Sequence, residues 1–381
     1  MKLVELGTIL HMDKGKKPQK QQEKYKEGYL PYVDIQAFEE GIIKSYADPQ
    51  KCLLCEDGDL LIVCDGSRSG LTGRAIKGVV GSTLSKISAD GLCTEYLQYF
   101  IQSKYTLLNT RKKGTGTPHL NAELLKKSKL VIPTQTEQER IVSKIEELFS
   151  KLDASVAELK TAKEKLKVYR QAVLKEALTP EQGWCKCCFS DLMESVRNGY
   201  GKKPDDMGEY RILRISSVRP GKVELSDFRC NQTPFKEDDL ISENDLLFTR
   251  YNGSLEYVGV CACVPQLQEK YAYPDKIIKC TPKLKNPYHS RFLQYSMNQG
   301  EARKYIRSKI KTTSGQKGIA GSDIKKVVLW LPELPVQEKI VKMIDEKMST
   351  CDNIEQTIDI SLRQAEAMRQ SILKHAFEGG L

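Results

Sequence analysis

The sequence predicts a mixed α/β (α+β) protein built twice over: two globular domains, each followed by a long helix, with the helices pairing as a coiled coil. Three observations carry this. "PTQTEQERIV" at 133–142 returns as "PELPVQEKIV" at 332–341, an offset of 199 residues. The same offset runs without a gap to "RQAVLKEAL" at 170–178 and "RQSILKHAF" at 369–377. Apolar residues in both segments recur at alternating steps of four and three, the 3.5 period of a coiled-coil seam. An internal repeat outranks local signals in setting architecture, so the chain reads as a tandem duplication.

The first globular domain spans 1–135. Short apolar and β-branched runs such as "YLPYVDI" and "DLLIV" alternate with Gly, Asn and Pro, the punctuation of short strands. "CTEYLQYFIQSKY" reads as a helix whose aromatic stripe faces the core. The central helix, 136–180, places Ile141, Ile145, Leu148, Leu152, Ser155, Leu159, Ala162, Leu166, Tyr169 and Val173 along one seam. Pro180 and Gly183 stop it.

The second globular domain, 181–334, repeats the first more loosely. "GKKP" at 15–18 returns at 201–204, "GDLL" at 58–61 as "NDLL" at 244–247, and "LQY" at 97–99 at 293–295. The offset drifts upstream, so loops differ in length. The C-terminal helix, 335–381, carries the equivalent seam: Ile340, Ile344, Lys347, Cys351, Ile354, Ile358, Ser361, Ala365, Met368 and Ile372. Lys347 and Ser361 are polar breaks in it. About 40 residues at 1.5 Å each make a rod of roughly 60 Å. A lone amphipathic rod must bury its stripe, and its own copy is the nearest partner.

Composition bounds function. At 381 residues, with 40% hydrophobic and 29% charged residues, the chain suits several soluble units. No run approaches a membrane span, and "MKLVELGTIL" does not read as a signal peptide. The twelve cysteines therefore read as reduced thiols in a cytoplasmic protein. The net charge of +10 sits in the globular parts: +5 in 1–136 and +6 in 179–335, against +1 and −2 in the helices. Two basic globules on a stiff spacer suit a long polyanion, and double-stranded DNA is the obvious one.

Three pairs of loops concentrate DNA-contacting chemistry. Lys16 and Lys17, with Lys202 and Lys203, sit beside Gly and Pro where they can neutralise phosphates. Arg68 and Arg74 in "DGSRSGLTGR", with Arg250, Asn252 and Ser254 in "RYNGSLEY", supply side chains that read guanine and adenine edges. Lys112, Lys113, Thr115, Thr117 and His119, with Lys311, Ser314, Gln316 and Lys317, combine cations, hydroxyls and glycines for close approach to phosphates. Ordinary solvated loops are the bland alternative for each.

Motifs for catalysis are missing. There is no P-loop, and "NPYHS" at 286–290 lacks a proline and a preceding Gly-rich loop for an adenine methyltransferase. Cys52 and Cys55, and Cys185, Cys187 and Cys188, lack the second pair a structural zinc site needs, so no metal is expected.

A variable front followed by "IPTQTEQERIV" or "LPELPVQEKIV" and the RQ(A/S)(V/I)LK(E/H)A helix end, twice over, resembles the specificity (S) subunit of type I restriction–modification enzymes. The resemblance covers essentially the whole chain. It implies two target-recognition domains, each reading half of a split, asymmetric DNA sequence. It implies that the helices pair antiparallel, space the half-sites and dock two methyltransferase (M) subunits, which motor–nuclease (R) subunits join. The subunit itself is then non-catalytic and binds no cofactor. AdoMet, ATP and Mg belong to its partners in a type I site-specific endonuclease and adenine-N6 DNA methyltransferase. The setting is a prokaryotic cytoplasm, on the nucleoid when bound to DNA. The residues also admit a free-standing bipartite DNA-binding regulator with an internal coiled-coil spacer.

Overall fold

The structure is a computed structural model that describes residues 2–113, 118–313 and 316–378. It divides into two compact units, Met1–Thr161 with Ile358–Leu381, and Ala162–Thr357. Each unit joins a globular domain to part of both long helices, Gln135–Ala177 and Leu334–Phe377.

In the first unit the central sheet runs Leu10–Lys14, Leu84–Ala89, Leu60–Val63, Thr72–Arg74, all antiparallel. Strand Leu60–Val63 is buried on both faces, which is why it reads as a continuous apolar run. Leu60 and Ile62 pack towards Tyr96, Leu97 and Phe100 of helix Thr94–Ser103, while Leu61 and Val63 pack with Val33 and Ala37. Alternate residues of one strand thus serve two cores.

The second unit repeats this order with Met193–Asn198, Ile277–Pro282, Leu246–Thr249 and Cys261–Cys263. Leu246 and Phe248 join one core and Leu247 the other. In both units a two-stranded sheet, Lys2–Glu5 with Lys129–Ile132 and Cys185–Cys188 with Val328–Leu331, leads into a long helix.

The glutamine of the repeated "QE" motif explains the recurrence. Gln138 is buried; its Oε1 accepts from the Cys93 amide at 2.8 Å, and its Nε2 donates to the carbonyls of Gly91 and Pro133 at 2.8 and 3.1 Å. Gln337 is its equivalent. Its Nε2 donates to the Pro332 carbonyl at 2.7 Å, so its Oε1 faces buried His289 and accepts from Nδ1 at 2.9 Å. One amide in each unit locks the helix start to the globular domain.

The seam differs from the sequence reading by one residue at every second position. The buried and half-buried row is Val142, Ile145, Phe149, Leu152, Val156, Leu159, Lys163, Leu166, Arg170 and Val173. Its counterpart is Val341, Ile344, Met348, Cys351, Glu355, Ile358, Leu362, Ala365, Arg369 and Leu373. Ile354 and Met368, expected in the seam, are 45% and 55% exposed, and Tyr169 is exposed too. Leu148, Ile340 and Ile372 are half-buried, and Ile141 is buried in the core that includes the globular domain. The supposed breaks at Lys347 and Ser361 vanish, because Met348 and Leu362 hold those places.

The true breaks are charged, and they are the residues that join the helices. In the second unit Arg170 Nη2 contacts Asp352 at 2.6 Å and Glu355 at 3.1 Å, and Lys163 lies 3.5 Å from Glu355. In the first unit Arg369 pairs with Asp153 and lies over the Phe149 ring, 4.2 Å from its centroid. Arg170 and Arg369 are 199 residues apart, as are Asp153 and Asp352, so the duplication preserved one clamp per unit. Late residues of one helix meet early residues of the other in both, so the pairing is antiparallel. Long cationic side chains lay their stems on apolar neighbours while their heads reach acids, which is how they occupy seam positions.

Candidate nucleic-acid interface

The second unit gathers its candidate residues on a three-stranded ribbon. Tyr251–Asn252 pairs with Gln316–Gly318, which pairs with Lys311–Thr313. Asn252 lies opposite Lys317, and Tyr251 and Lys311 both lie opposite Gly318. Arg250, at the ribbon's base, stacks on the Tyr251 ring at 4.8 Å and has no carboxylate partner among the described residues. Asn252 Oδ1 accepts from the Ser254 amide at 2.9 Å, leaving its Nδ2 without a protein acceptor among the described residues. Lys311, Gln316 and Ser254 are exposed and Lys317 half-buried.

A cleft of about 900 Å³ adjoins the ribbon, lined among others by Tyr200, Lys202, Lys203, Arg214, Phe228 and Lys276. The Arg250 amide donates to the Lys276 carbonyl at 2.8 Å, which makes cleft and ribbon one surface. The loop bearing Lys202 and Lys203 is braced behind. Asp206, at φ +63°, forms a two-pronged ion pair with Arg229, whose hydrogen bond holds the Asp206 carboxyl below its usual range. Arg229 is therefore structural, while Lys202, Lys203 and Lys276 are exposed, Lys203 close enough to Asp206 for its charge to favour the carboxylate.

Where the second unit has its ribbon, the first has two isolated bridges with different chemistry. Asp65 bridges to His119, and His119 to Lys113, at the positions of Tyr251, Gly318 and Lys311. Asp65 is flanked by Lys14 Nζ at 2.9 Å and His119 Nδ1 at 2.7 Å. Burial pushes the Asp65 carboxyl up, but the hydrogen bonds from His119 and Lys14 outweigh it and hold the carboxyl below its usual range. Lys16 and Lys17 are exposed on the loop after Leu10–Lys14. Gly15 opens that loop against neighbouring backbone: a Cβ there would meet the Gly81 carbonyl at 2.3 Å. Gly199 sits likewise: a Cβ there would meet the Tyr273 carbonyl at 2.0 Å.

Several residues singled out in the sequence have partners within the fold. Arg74 donates to Glu95 at 2.6 Å and the Gly58 carbonyl at 2.8 Å, Arg68 pairs with Glu39, and Lys112 donates to the Ser67 carbonyl at 2.5 Å. Arg74 is correspondingly half-buried and serves the sheet rather than a ligand. Lys113 stays exposed. Thr115, Thr117 and Ser314 lie outside the described residues. Sequence reasoning missed Tyr251 and Lys276; Arg214, also in the cleft lining, lies 3.7 Å from the Asp227 carboxylate. The "PDK" turn before strand Ile277–Pro282 was the available signal for Lys276.

Among the described residues no group of three or more His, Cys, Asp or Glu is placed to hold a metal ion, and no helix is long and apolar enough to cross a membrane.

The family model for the type I restriction modification DNA specificity domain matches residues 1–165 and 181–364, one match for each half of the duplication. The chain belongs to this family. It is 36% identical over 267 residues to the EcoKI specificity subunit of Escherichia coli K12, covering 66% of this chain and 57% of that protein. It is 27% identical over 302 residues to the StySPI specificity subunit of Salmonella potsdam, covering 75% and 65%. The chain thus spans less than two thirds of the length of these relatives. Two solved structures share the fold at 18% identity over the whole chain. One, from work on complex assembly and conformational transition of the type I R-M system, has a TM-score of 0.75. The other, the HsdS subunit from Thermoanaerobacter tengcongensis, has 0.55.

Proposed function

We propose that the chain is the DNA-specificity subunit of a type I restriction–modification complex, in which each globular domain reads one half of a bipartite, asymmetric target. The observation that carries this is the duplicated site. Where the second unit pairs Tyr251 and Lys311 with Gly318, the first bridges Asp65 and Lys113 to His119, so the two units present unlike side chains at corresponding places. Equal scaffolds with unlike readers suit two different half-sites. The chain performs no chemistry of its own. AdoMet, ATP and Mg are bound by two methyltransferase subunits and by motor–nuclease subunits that assemble on it, and the paired helices space the half-sites.

Co-expression with an adenine methyltransferase subunit of a type I system tests this. The two proteins are expected to co-purify and together to methylate duplex DNA at one motif. A chain that binds DNA alone and leaves methylation unchanged would be a free-standing regulator.

The surface also predicts two distinct losses. Arg250→Ala is expected to weaken cognate binding by about 1–3 kcal/mol and leave random-sequence binding unchanged, as a bidentate guanine contact requires. Lys202→Ala should weaken cognate and random duplex alike and reduce the salt slope by about 1, because it contacts phosphate. Salt titrations with both duplexes distinguish them. Equal, sequence-blind losses would make Arg250 a phosphate contact.

A further inference from the structure

The loop from Arg250 to Gly259 carries the candidate base readers of the second unit, and its backbone is held from behind. Arg303, on helix Gly300–Ser308, is only 8% exposed. Its Nη1 donates to the Val258 carbonyl at 2.9 Å and its Nη2 to the Glu256 carbonyl at 2.7 Å. Thr249 Oγ1 donates to the Tyr257 carbonyl between them. Three consecutive carbonyls are therefore tied down. Gly259 follows at φ +66°, where a Cβ would lie 2.5 Å from Ile306 Cγ2, so the loop closes on the helix without slack.

Arg303 forms no ion pair among the described residues, although the Glu256 carboxylate is near enough for its charge to favour the protonated guanidinium. It is a buried cation satisfied by backbone oxygens, and burial lowers its guanidinium to about 10, so it stays protonated at neutral pH. Burying a charge without a hydrogen-bonded counter-charge is costly, and a neutral donor would cap one carbonyl at less expense. What the planar fork adds is geometry: two carbonyls fixed at once. On its outer side the braced loop presents Asn252, Ser254 and Leu255, the last 47% exposed.

The first unit has the same arrangement in other residues. Asn109 Nδ2 donates to the carbonyls of Ser67 and Ser69 at 2.9 and 3.1 Å, and Lys112 joins it at Ser67. In both units donors on or just after the second helix of a helix pair cap the loop beside the ribbon or the corresponding bridges.

We propose that Arg303 is a positioning residue for sequence readout: it fixes the turn 252–257 so that Asn252 meets an adenine edge while Leu255 packs on a thymine methyl group. This rests on the reading of the chain as a DNA-specificity subunit. Asn pairs bidentately with adenine N6 and N7, and an apolar side chain selects the thymine methyl, but only in one fixed register.

The test uses the full chain assembled with its methyltransferase partner and a pool of duplexes randomised in both half-sites. Methylated products are sequenced. Wild type is expected to resolve both half-sites. Arg303→Lys keeps the charge but loses the fork, and should reduce base preference about tenfold at positions in one half-site while leaving the other half intact. Leu255→Ala should lose preference at a single A·T position of that same half-site. Arg303→Met should exceed both; if it fails to fold, Arg303→Lys alone carries the test. Arg303→Lys that lowers total methylation yet keeps every base preference would overturn the proposal. Absence of any preference in wild type would instead overturn the underlying reading.

Discussion

Gln337→Leu is expected to destabilise the second unit by about 2–4 kcal/mol, measured by chemical denaturation of the full chain. The substitution is close in volume, so cavity formation contributes little. What it removes is the partner of two buried groups, the Pro332 carbonyl and the His289 Nδ1–H. Each unsatisfied buried polar group costs about 1–3 kcal/mol. Gln138→Leu should act at least as strongly on the first unit, since it orphans the Cys93 amide and the Gly91 carbonyl, and removes a donor from Pro133.

The two locks differ in acid. Burial depresses the His289 pKa, against a smaller upward effect of the Gln337 hydrogen bond, so the folded state holds it neutral. A histidine lowered on folding adds stability that is present above its unfolded pKa of about 6.5 and lost as pH falls towards the folded value. The second unit should therefore weaken as pH falls below about 6.5 through this group, and His289→Gln should flatten that dependence. An unchanged pH profile in the variant would refute the assignment.

Exchange of the first globular domain should have the largest functional effect. Replacing residues 1–130 with the corresponding domain of another family member should give a methylated motif with one half new and the other half unchanged. The first unit's candidate readers, Lys16, Lys17, Lys113 and His119, all lie within the exchanged segment, whereas Arg250, Asn252 and Lys317 lie in the second globular domain, whose two cores contain no residue of that segment. The graft must keep the contacts that seat the domain on the helices. Phe377 packs edge-on against Tyr96 and Phe100 at centroid distances of 5.1 and 5.4 Å, and an exchange that drops those rings would unfold the junction. Simultaneous change in both half-sites would show that the domains do not read independently.

The duplication, the mixed α/β domains and the long helices were legible because repeat, punctuation and period are properties of sequence alone. The seam was legible only to within one residue. Ile141 was counted as seam because it is apolar, where Val142 beside it continues the buried row; Lys163, Arg170, Glu355 and Arg369 were passed over because they are charged. Periodicity reports which residues avoid water, not what covers them. The site was legible as three loop regions and not as residues. Arg68 and Arg74 look in sequence like Arg250, and only the fold shows that Glu39 and Glu95 pair with the first two while Arg250 has no such partner among the described residues. Lys276 joins the site through a backbone hydrogen bond to Arg250 from 26 residues away, which no local pattern encodes. The buried glutamine was quoted as part of a motif, but its role depends on groups such as Cys93 and His289, 45 and 48 residues upstream.

Methylation mapping of genomic DNA tests the central claim most directly. A host lacking the system should be given the chain together with its methyltransferase partner, and the methyltransferase alone as control. The account predicts N6-methyladenine at a single asymmetric motif of two defined half-sites separated by a fixed run of unspecified bases, and none from the control. Methylation at one uninterrupted motif, or a pattern that persists without this chain, would contradict it.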